Sequence, residues 1–185
     1  MRLAIDFDGV IADTSTLKQA YVKERLGQEV SIAETDKATL PTIIGEESYK
    51  EMIRAIYSSK PLEAPVVEGA KKCLKELAKH HTLIIVTNRS DEEIHVMTSY
   101  LQKHGLQHDK VVNTPGQSKE EICLAEGVDA ILEDSLAQLA RFKRGRTRLY
   151  LLTRPYNKGM HPPPNIERTE SWRDFTRRVT SPKDR

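Results

Sequence analysis

Residues 3–10 read Leu-Ala-Ile-Asp-Phe-Asp-Gly-Val, an apolar run that gives way to two aspartates and a glycine. Leu3 to Phe7 has the make-up of a short strand, and Asp8-Gly9 is a turn composition placed directly after it. A strand apolar at successive positions suits a sheet covered on both faces, as parallel sheets are. The same pattern recurs outward from this stretch. Thr82 to Thr87 (TLIIVT) is a second continuous apolar run, and Lys110 to Asn113, Ala130 to Glu133 and Leu149 to Thr153 are three shorter ones. Amphipathic helices fall between them. Ala70, Cys73, Leu74, Leu77 and Ala78 keep the spacing of one buried helical stripe. Ser90 with Glu93 and Ser118 with Glu121 match the capping box, in which each side chain satisfies a free backbone N–H at the helix start. Gly105 and Gly127 stand where C-terminal caps are expected. The alternation predicts an α/β fold: an open, mainly parallel, Rossmann-like sheet of about five strands, with helices on both faces and right-handed crossovers.

One stretch breaks the rhythm. Between the first strand and the helix at Ala70 no strand is legible. Instead there are two helical patterns, one near Leu17 to Leu26 and one carrying Tyr49, Met52, Ile53, Ile56 and Tyr57, punctuated by Pro41, Pro61 and Pro65. The expected organisation is an α/β core formed by 1–13 and 66–180, a small helical cap inserted after the first strand at 14–65, and a frayed tail at 181–185.

Composition narrows the class. A chain of 185 residues with 38% hydrophobic and 30% charged residues can bury a proper core without covalent staples. No apolar run approaches the roughly 18 residues needed to span a bilayer, and the N-terminus lacks the pattern of a secretory signal. Cys73 and Cys123 stand far apart without CxxC spacing, as expected of reduced thiols in a cytoplasmic protein. The net charge of +2 names no partner. Arg141, Lys143, Arg144, Arg146 and Arg148 form a basic run, but no aromatics are interleaved with it, so a solvated loop is expected rather than a nucleic-acid surface.

In an open parallel sheet, ligands bind beyond the carboxyl ends of the strands. The first candidate strand ends in Asp6-Phe7-Asp8-Gly9, the second in Thr87-Asn88-Arg89 and the fourth in Glu133-Asp134-Ser135, while Lys119 opens the helix after the third. Singly, each has an ordinary explanation: Asp-x-Asp-Gly is a common turn, Thr87 can end a strand, and Asn88 can cap a turn. A calcium loop is excluded, because Val10, Ile11 and Leu17 stand where an oxygen ligand, a glycine and a glutamate would be needed. Jointly they point to chemistry. Lysine at a helix start opposes the helix dipole, and two adjacent acids after a buried strand repel without a cation. Carboxylates converging at one sheet edge suit magnesium, and Thr87, the amides around it and Lys119 are donors for phosphate oxygens.

The ordered set IDFDGV, IVTNR, Lys119 and ILEDS resembles the four motifs of the haloacid dehalogenase superfamily, from Arg2 to about Thr153. The insertion after the first motif looks like that superfamily's cap. Tyr150-Leu-Leu-Thr-Arg-Pro-Tyr-Asn157 followed by Ser171-Trp172 is similar to the 5′(3′)-deoxyribonucleotidase-like branch. The resemblance implies that Asp6 attacks phosphorus to form an aspartyl-phosphate. It implies that Asp8 protonates the leaving oxygen and later activates water. An aspartate near its ordinary pKa of about 3.9 is a poor acid at neutral pH, so burial and neighbouring negative charge would have to raise the pKa of Asp8 while substrate is bound. The substrate phosphate would meet Asp6, Asp8, Thr87, Asn88 and Lys119. Mg2+ would be held by Asp6, the main-chain carbonyl of Asp8, and Asp134, with Glu133 assisting from behind through a water on the ion. Dehalogenases lack the second acid, so Asp8 favours phosphoryl chemistry. The expected function is a Mg2+-dependent phosphomonoesterase, with nucleoside monophosphates as substrate. The alternatives are a sugar-phosphate or other metabolite phosphatase, and, in another class, a non-catalytic binding or regulatory protein on the same fold. Lys18, Tyr21, Lys23 and Arg25 in the insertion read as a solvated helix face, and Trp172 with Phe175 as a packing anchor.

Overall fold

Leu3, Ala4 and Ile5 are fully buried, and the strand that carries them, β1 (Arg2–Ile5), runs through the middle of the sheet. A computed structural model describes residues 1–57, 62–113 and 118–181. The other strands are β2 (Thr82–Thr87), β3 (Lys110–Asn113), β4 (Ala130–Glu133), β5 (Arg148–Leu152) and β6 (Ile166–Thr169). They lie in the order β3-β2-β1-β4-β5-β6, and every neighbouring pair is parallel. Ile5 stands opposite Ile85 on one side and Leu132 on the other, so the carboxyl ends of β1, β2 and β4 come level. The order reverses at β1, where an open sheet of this kind forms its ligand crevice.

Strand alternation sorts the core into two layers. Leu3, Ile5, Leu83, Ile85 and Leu132 face α4 (Ala70–Leu77), α5 (Asp91–His104) and α8 (Trp172–Thr180). Ala4, Ile84, Val86, Ile131 and Leu151 face α6 (Lys119–Ala125) and α7 (Leu136–Leu139) through Cys123 and Leu139. Each fully buried Leu or Ile contributes about 1.5–3 kcal/mol, so both layers count heavily toward stability. The expected caps form. Ser90 and Ser118 exchange side-chain and backbone bonds with Glu93 and Glu121, and Gly105 and Gly127 close α5 and α6 with positive φ.

The sheet has six strands where about five were expected. β6 escaped notice because only Ile166 and Thr169 turn inward, Glu167 and Arg168 sit between them, and three prolines precede it. These are the marks of an edge strand, whose charges discourage further pairing. The basic run lies mostly in the connection from α7 to β5, at 141–147, largely exposed, with Arg148 opening β5; it is fastened by Glu120, which accepts from the amides of Lys143 and Arg144.

Residues 14–57 hold α1 (Thr14–Leu26), a short 3-10 turn (Ile32–Glu34), α2 (Leu40–Ile44) and α3 (Glu46–Tyr57). They bury a cluster of their own: Val22, Val30, Leu40, Ile44 and Met52. The stems of this segment are tied together, since the Asp13 amide donates to Pro65 O at 2.8 Å and the Val67 amide to Ile11 O at 2.8 Å. Pro61 and residues 182–185, most of the expected tail, lie outside the described residues.

Trp172 is buried, and its indole N–H donates to Val10 O at 2.8 Å, with Phe175 edge-on at 6.1 Å between centroids. The last helix thus braces the loop after β1. Trp172→Ala should cost about 3–5 kcal/mol in urea unfolding, as large buried aromatics do. A loss below about 1 kcal/mol would show that the brace is not needed.

Candidate active site

The backbone of β1 continues one residue past the strand, with the Asp6 amide donating to Leu132 O at 3.0 Å. The chain then turns sharply, because Phe7 O accepts from both Ile11 and Ala12. Gly9 makes the turn possible. Its φ is +73°, and a Cβ there would lie 2.1 Å from Asp134 Oδ2 and 2.4 Å from the Tyr156 hydroxyl. Only a residue without a side chain lets the two loops meet.

Lys119 opens α6 and is buried, and its Nζ donates to Asp6 Oδ1 and to Glu133 Oε2, each at 2.5 Å. Two carboxylates offset the unfavourable helix-dipole position that the lysine occupies. Glu133 is saturated: its other oxygen accepts from the amides of Asp134, at 3.1 Å, and Ser135, at 3.0 Å. Asp134 takes the Tyr156 hydroxyl on Oδ2, and its main-chain carbonyl accepts from Asn157 Nδ2 at 2.8 Å. One carboxylate oxygen from each of Asp6, Glu133 and Asp134 can be chosen so that all lie within 4.8 Å of one another.

One ammonium among three carboxylates leaves an excess of negative charge. Burial first, then Glu133 and Asp8, push Asp6 up to about 7, although Lys119 pulls the other way. Burial, Glu133 and Asp6 likewise raise Asp134 well above the carboxylate range. Burial by itself would lower Lys119, but Asp6 and Glu133 outweigh it and keep the ammonium protonated. The donor set is all hard oxygen and carries surplus negative charge, so these residues fit a divalent cation such as magnesium.

Thr87 ends β2 and is buried, whereas Asn88, expected to contact phosphate, is exposed. The next residue turns inward instead. Arg89 is 6% exposed and donates through Nη2 to both oxygens of Asp8, at 2.7 and 2.6 Å. Its guanidinium lies over the rings of Phe7, at 5.1 Å, and Tyr57, at 4.5 Å. Asn113 on β3 pins the Arg89 backbone from both sides. Asp8 is partly exposed, and a cation grips it.

Two further residues sit closer than their sequence context indicated. Lys18 on α1 is half-buried and donates to Thr35 O at 3.2 Å; burial lowers its pKa, against the pull of Asp8, Asp134 and Asp36. Lys23 and Arg25 are exposed, so only part of that helix is a solvated face. Tyr156 was legible only as part of a motif, without a role.

Lys119→Met should destabilise the protein by about 3 kcal/mol or more in urea unfolding, because two buried carboxylates lose their shared cation. An unchanged midpoint would contradict the arrangement. The Asp6 shift has a sign as well. Its folded pKa of about 7 lies above the ordinary 3.8, so its contribution to stability is present at low pH and lost as pH rises across that window. Magnesium should therefore raise Tm more at about pH 8 than at about pH 5. A gain independent of pH in a scanning-fluorimetry series would refute this.

Comparison with known proteins gives a consistent result. The family model for "5' nucleotidase, deoxy (Pyrimidine), cytosolic type C protein" matches residues 1–183. A Bacillus subtilis (strain 168) protein named "Putative nucleotidase YqfW" is 25% identical over 179 residues, 93% of this chain and 90% of that protein. Among solved structures, the haloacid dehalogenase-like family hydrolase SP0104 from Streptococcus pneumoniae has a TM-score of 0.64 at 14% identity, covering 97% of this chain and 98% of that one. The Bacillus subtilis protein YfnB, bound to magnesium, has a TM-score of 0.59 at 14% identity with the same coverage. These structural likenesses are of fold, whereas the family model spans nearly the whole chain. The chain belongs to the 5' nucleotidase, deoxy (Pyrimidine), cytosolic type C family, and is a haloacid dehalogenase-type phosphatase of the nucleotidase kind.

Proposed function

We propose that this protein hydrolyses nucleoside monophosphates through an aspartyl-phosphate on Asp6, in the cytoplasm. The observation that carries the reading is the shared lysine: Lys119 bonds Asp6 and Glu133 at 2.5 Å each, beside Asp134. That contact holds Asp6 in place at the mouth of the crevice and puts positive charge where a phosphoryl group would arrive. Asp6 then attacks phosphorus, the bond to the leaving oxygen breaks, and Asp8 gives that oxygen a proton. Water next attacks the phosphorus of the acyl phosphate and yields its proton to Asp8. The bond to Asp6 breaks, and inorganic phosphate leaves.

Thr87 and Lys119 would bind the phosphoryl oxygens. Asp6, the Asp8 carbonyl and Asp134 would hold magnesium, which, when bound, supplies positive charge opposite the transferring group. Magnesium in the similarly folded YfnB supports this choice of ion. Glu133 supports from behind, since Lys119 and two amides already occupy its oxygens. The Arg89 grip keeps Asp8 aimed for the water-activating half of the cycle. The acid half then requires Asp8 to leave that grip with a proton when substrate arrives.

The substrate class rests on the family and on the inserted helices, which we propose act as a cap over 14–65. Tyr49, Ile53, Lys50 and Arg54 of α3 and Glu93 of α5 line an open cleft of about 270 Å³. Its tyrosine offers a ring on which a base can stack. A metabolite phosphatase would keep the same carboxylates but make no use of Tyr49.

Phosphate release from a panel of 5′ and 3′ nucleoside monophosphates and sugar phosphates, with magnesium and with EDTA, tests the reading. Magnesium-dependent release favouring nucleotides is expected. Release from sugar phosphates alone would replace the substrate class. Asp6→Asn should lower kcat by at least about a thousandfold in a folded protein, and near-normal turnover would sink the mechanism. Tyr49→Ala should raise KM for nucleotides about tenfold and leave small aryl phosphates unaffected.

A further inference from the structure

The connection from β5 to β6 takes no part in the phosphoryl chemistry, yet it fastens Asp134 at two points. The Tyr156 hydroxyl donates to the carboxylate, and Asn157, 1% exposed, donates to the main-chain carbonyl of the same residue at 2.8 Å. Both are themselves held. Asn157 also donates to Leu152 O at 2.8 Å, and its Oδ1 accepts from the Arg154 amide at 3.0 Å and from Arg168 Nη1 at 3.1 Å. Arg168, on β6, donates further to the carbonyls of Asn157 and Met160. The Arg154 side chain bonds Tyr156 and pairs at 2.8 Å with Asp13, at the stem of the inserted helices. Gly9 completes the fit, because its missing side chain leaves the space that the tyrosine hydroxyl and the Asp134 carboxylate fill.

We infer that Tyr156 and Asn157 are positioning residues for the metal ion, fixing the carboxylate and the backbone of Asp134 before the ion arrives. This rests on the reading of Asp134 as a magnesium ligand. The physical need is specific. Asp134 lies beside Asp6 and Glu133, and like charges drive a free carboxylate away from the others. A hydroxyl donor on one oxygen opposes that and sets the plane of the group, leaving lone pairs for a cation. Partners behind a metal ligand act in this way, and their loss typically weakens binding about 10- to 100-fold.

The test is ion binding without substrate, with Mn2+ followed by electron paramagnetic resonance as the probe and magnesium as competitor. Tyr156→Phe removes one oxygen and keeps the ring. It should raise the Mn2+ Kd about 10- to 100-fold at an unchanged Tm. Arg154→Met, which removes the donor behind the tyrosine, should shift Kd in the same direction by less. Asp134→Asn serves as the limit of full loss. A Tyr156→Phe protein that binds Mn2+ within twofold of wild type, or more tightly, overturns the inference while leaving the phosphatase reading intact. Wild-type protein that binds no Mn2+ at millimolar concentration overturns the magnesium assignment, and the clamp with it. Turnover enters neither comparison.

Discussion

The ammonium of Lys119, held between Asp6 and Glu133, is the interaction on which the site depends. Parallel pairing of β1 with β4 brings Asp6 level with the acids that follow Leu132, and the sheet cannot avoid crowding like charges there. A single cation from the first turn of α6 makes that crowding tolerable. The capping box at Ser118 places the helix start, and the buried strands place the carboxylates. One lysine does not neutralise three acids, however. Burial first, and then the remaining imbalance, raise the proton affinity of Asp6 and Asp134, and the surplus of negative oxygen is of the kind that suits a divalent cation.

Much of this was legible in the amino-acid sequence, and the parts that were not share a cause. Buried strands announce themselves through unbroken apolar runs, and the capping boxes at Ser90 and Ser118 appear as a serine three residues before a glutamate. β6 did not, because an edge strand with Glu167 and Arg168 at its centre carries the pattern of a loop. Asp6, Lys119 and Asp134 stand out because their residue types are out of place on the elements that carry them, whereas Asp8 belongs to an ordinary turn composition and gains weight only from the company of the others. Arg89 and Tyr156 violate no local rule. An arginine after a strand and a tyrosine in a loop are ordinary, and their roles arise only from contacts across 81 and 22 residues of chain. Arg89 shows this limit most plainly, since its inward turn is decided by partners such as Asn113, Phe7 and Tyr57.

Arg89 also joins parts of the molecule that the strands alone leave separate. It pairs with Asp8 on the loop after β1, is pinned by β3, and lies against Tyr57 at the end of α3. Tyr57 in turn bonds Thr14, the first residue of α1. The orientation of Asp8 is thus supported by both ends of the inserted helical segment, and on the far side Arg154 ties Asp13 to the Tyr156 clamp. Any displacement of that segment is felt at two of the site's carboxylates at once.

The indole of Trp172 reaches back across 162 residues to the carbonyl of Val10. A ribosome makes the chain from its amino end, so Asp6 and Asp8 exist long before the residue that braces their loop has been added. A nascent chain that extends just past β4 already holds Asp6, Lys119 and Asp134, but lacks the bond from Trp172 to the turn that carries Gly9. The bracing of that loop is therefore deferred until Trp172 has been added, and a chain cut short before Trp172 lacks the bond that steadies it.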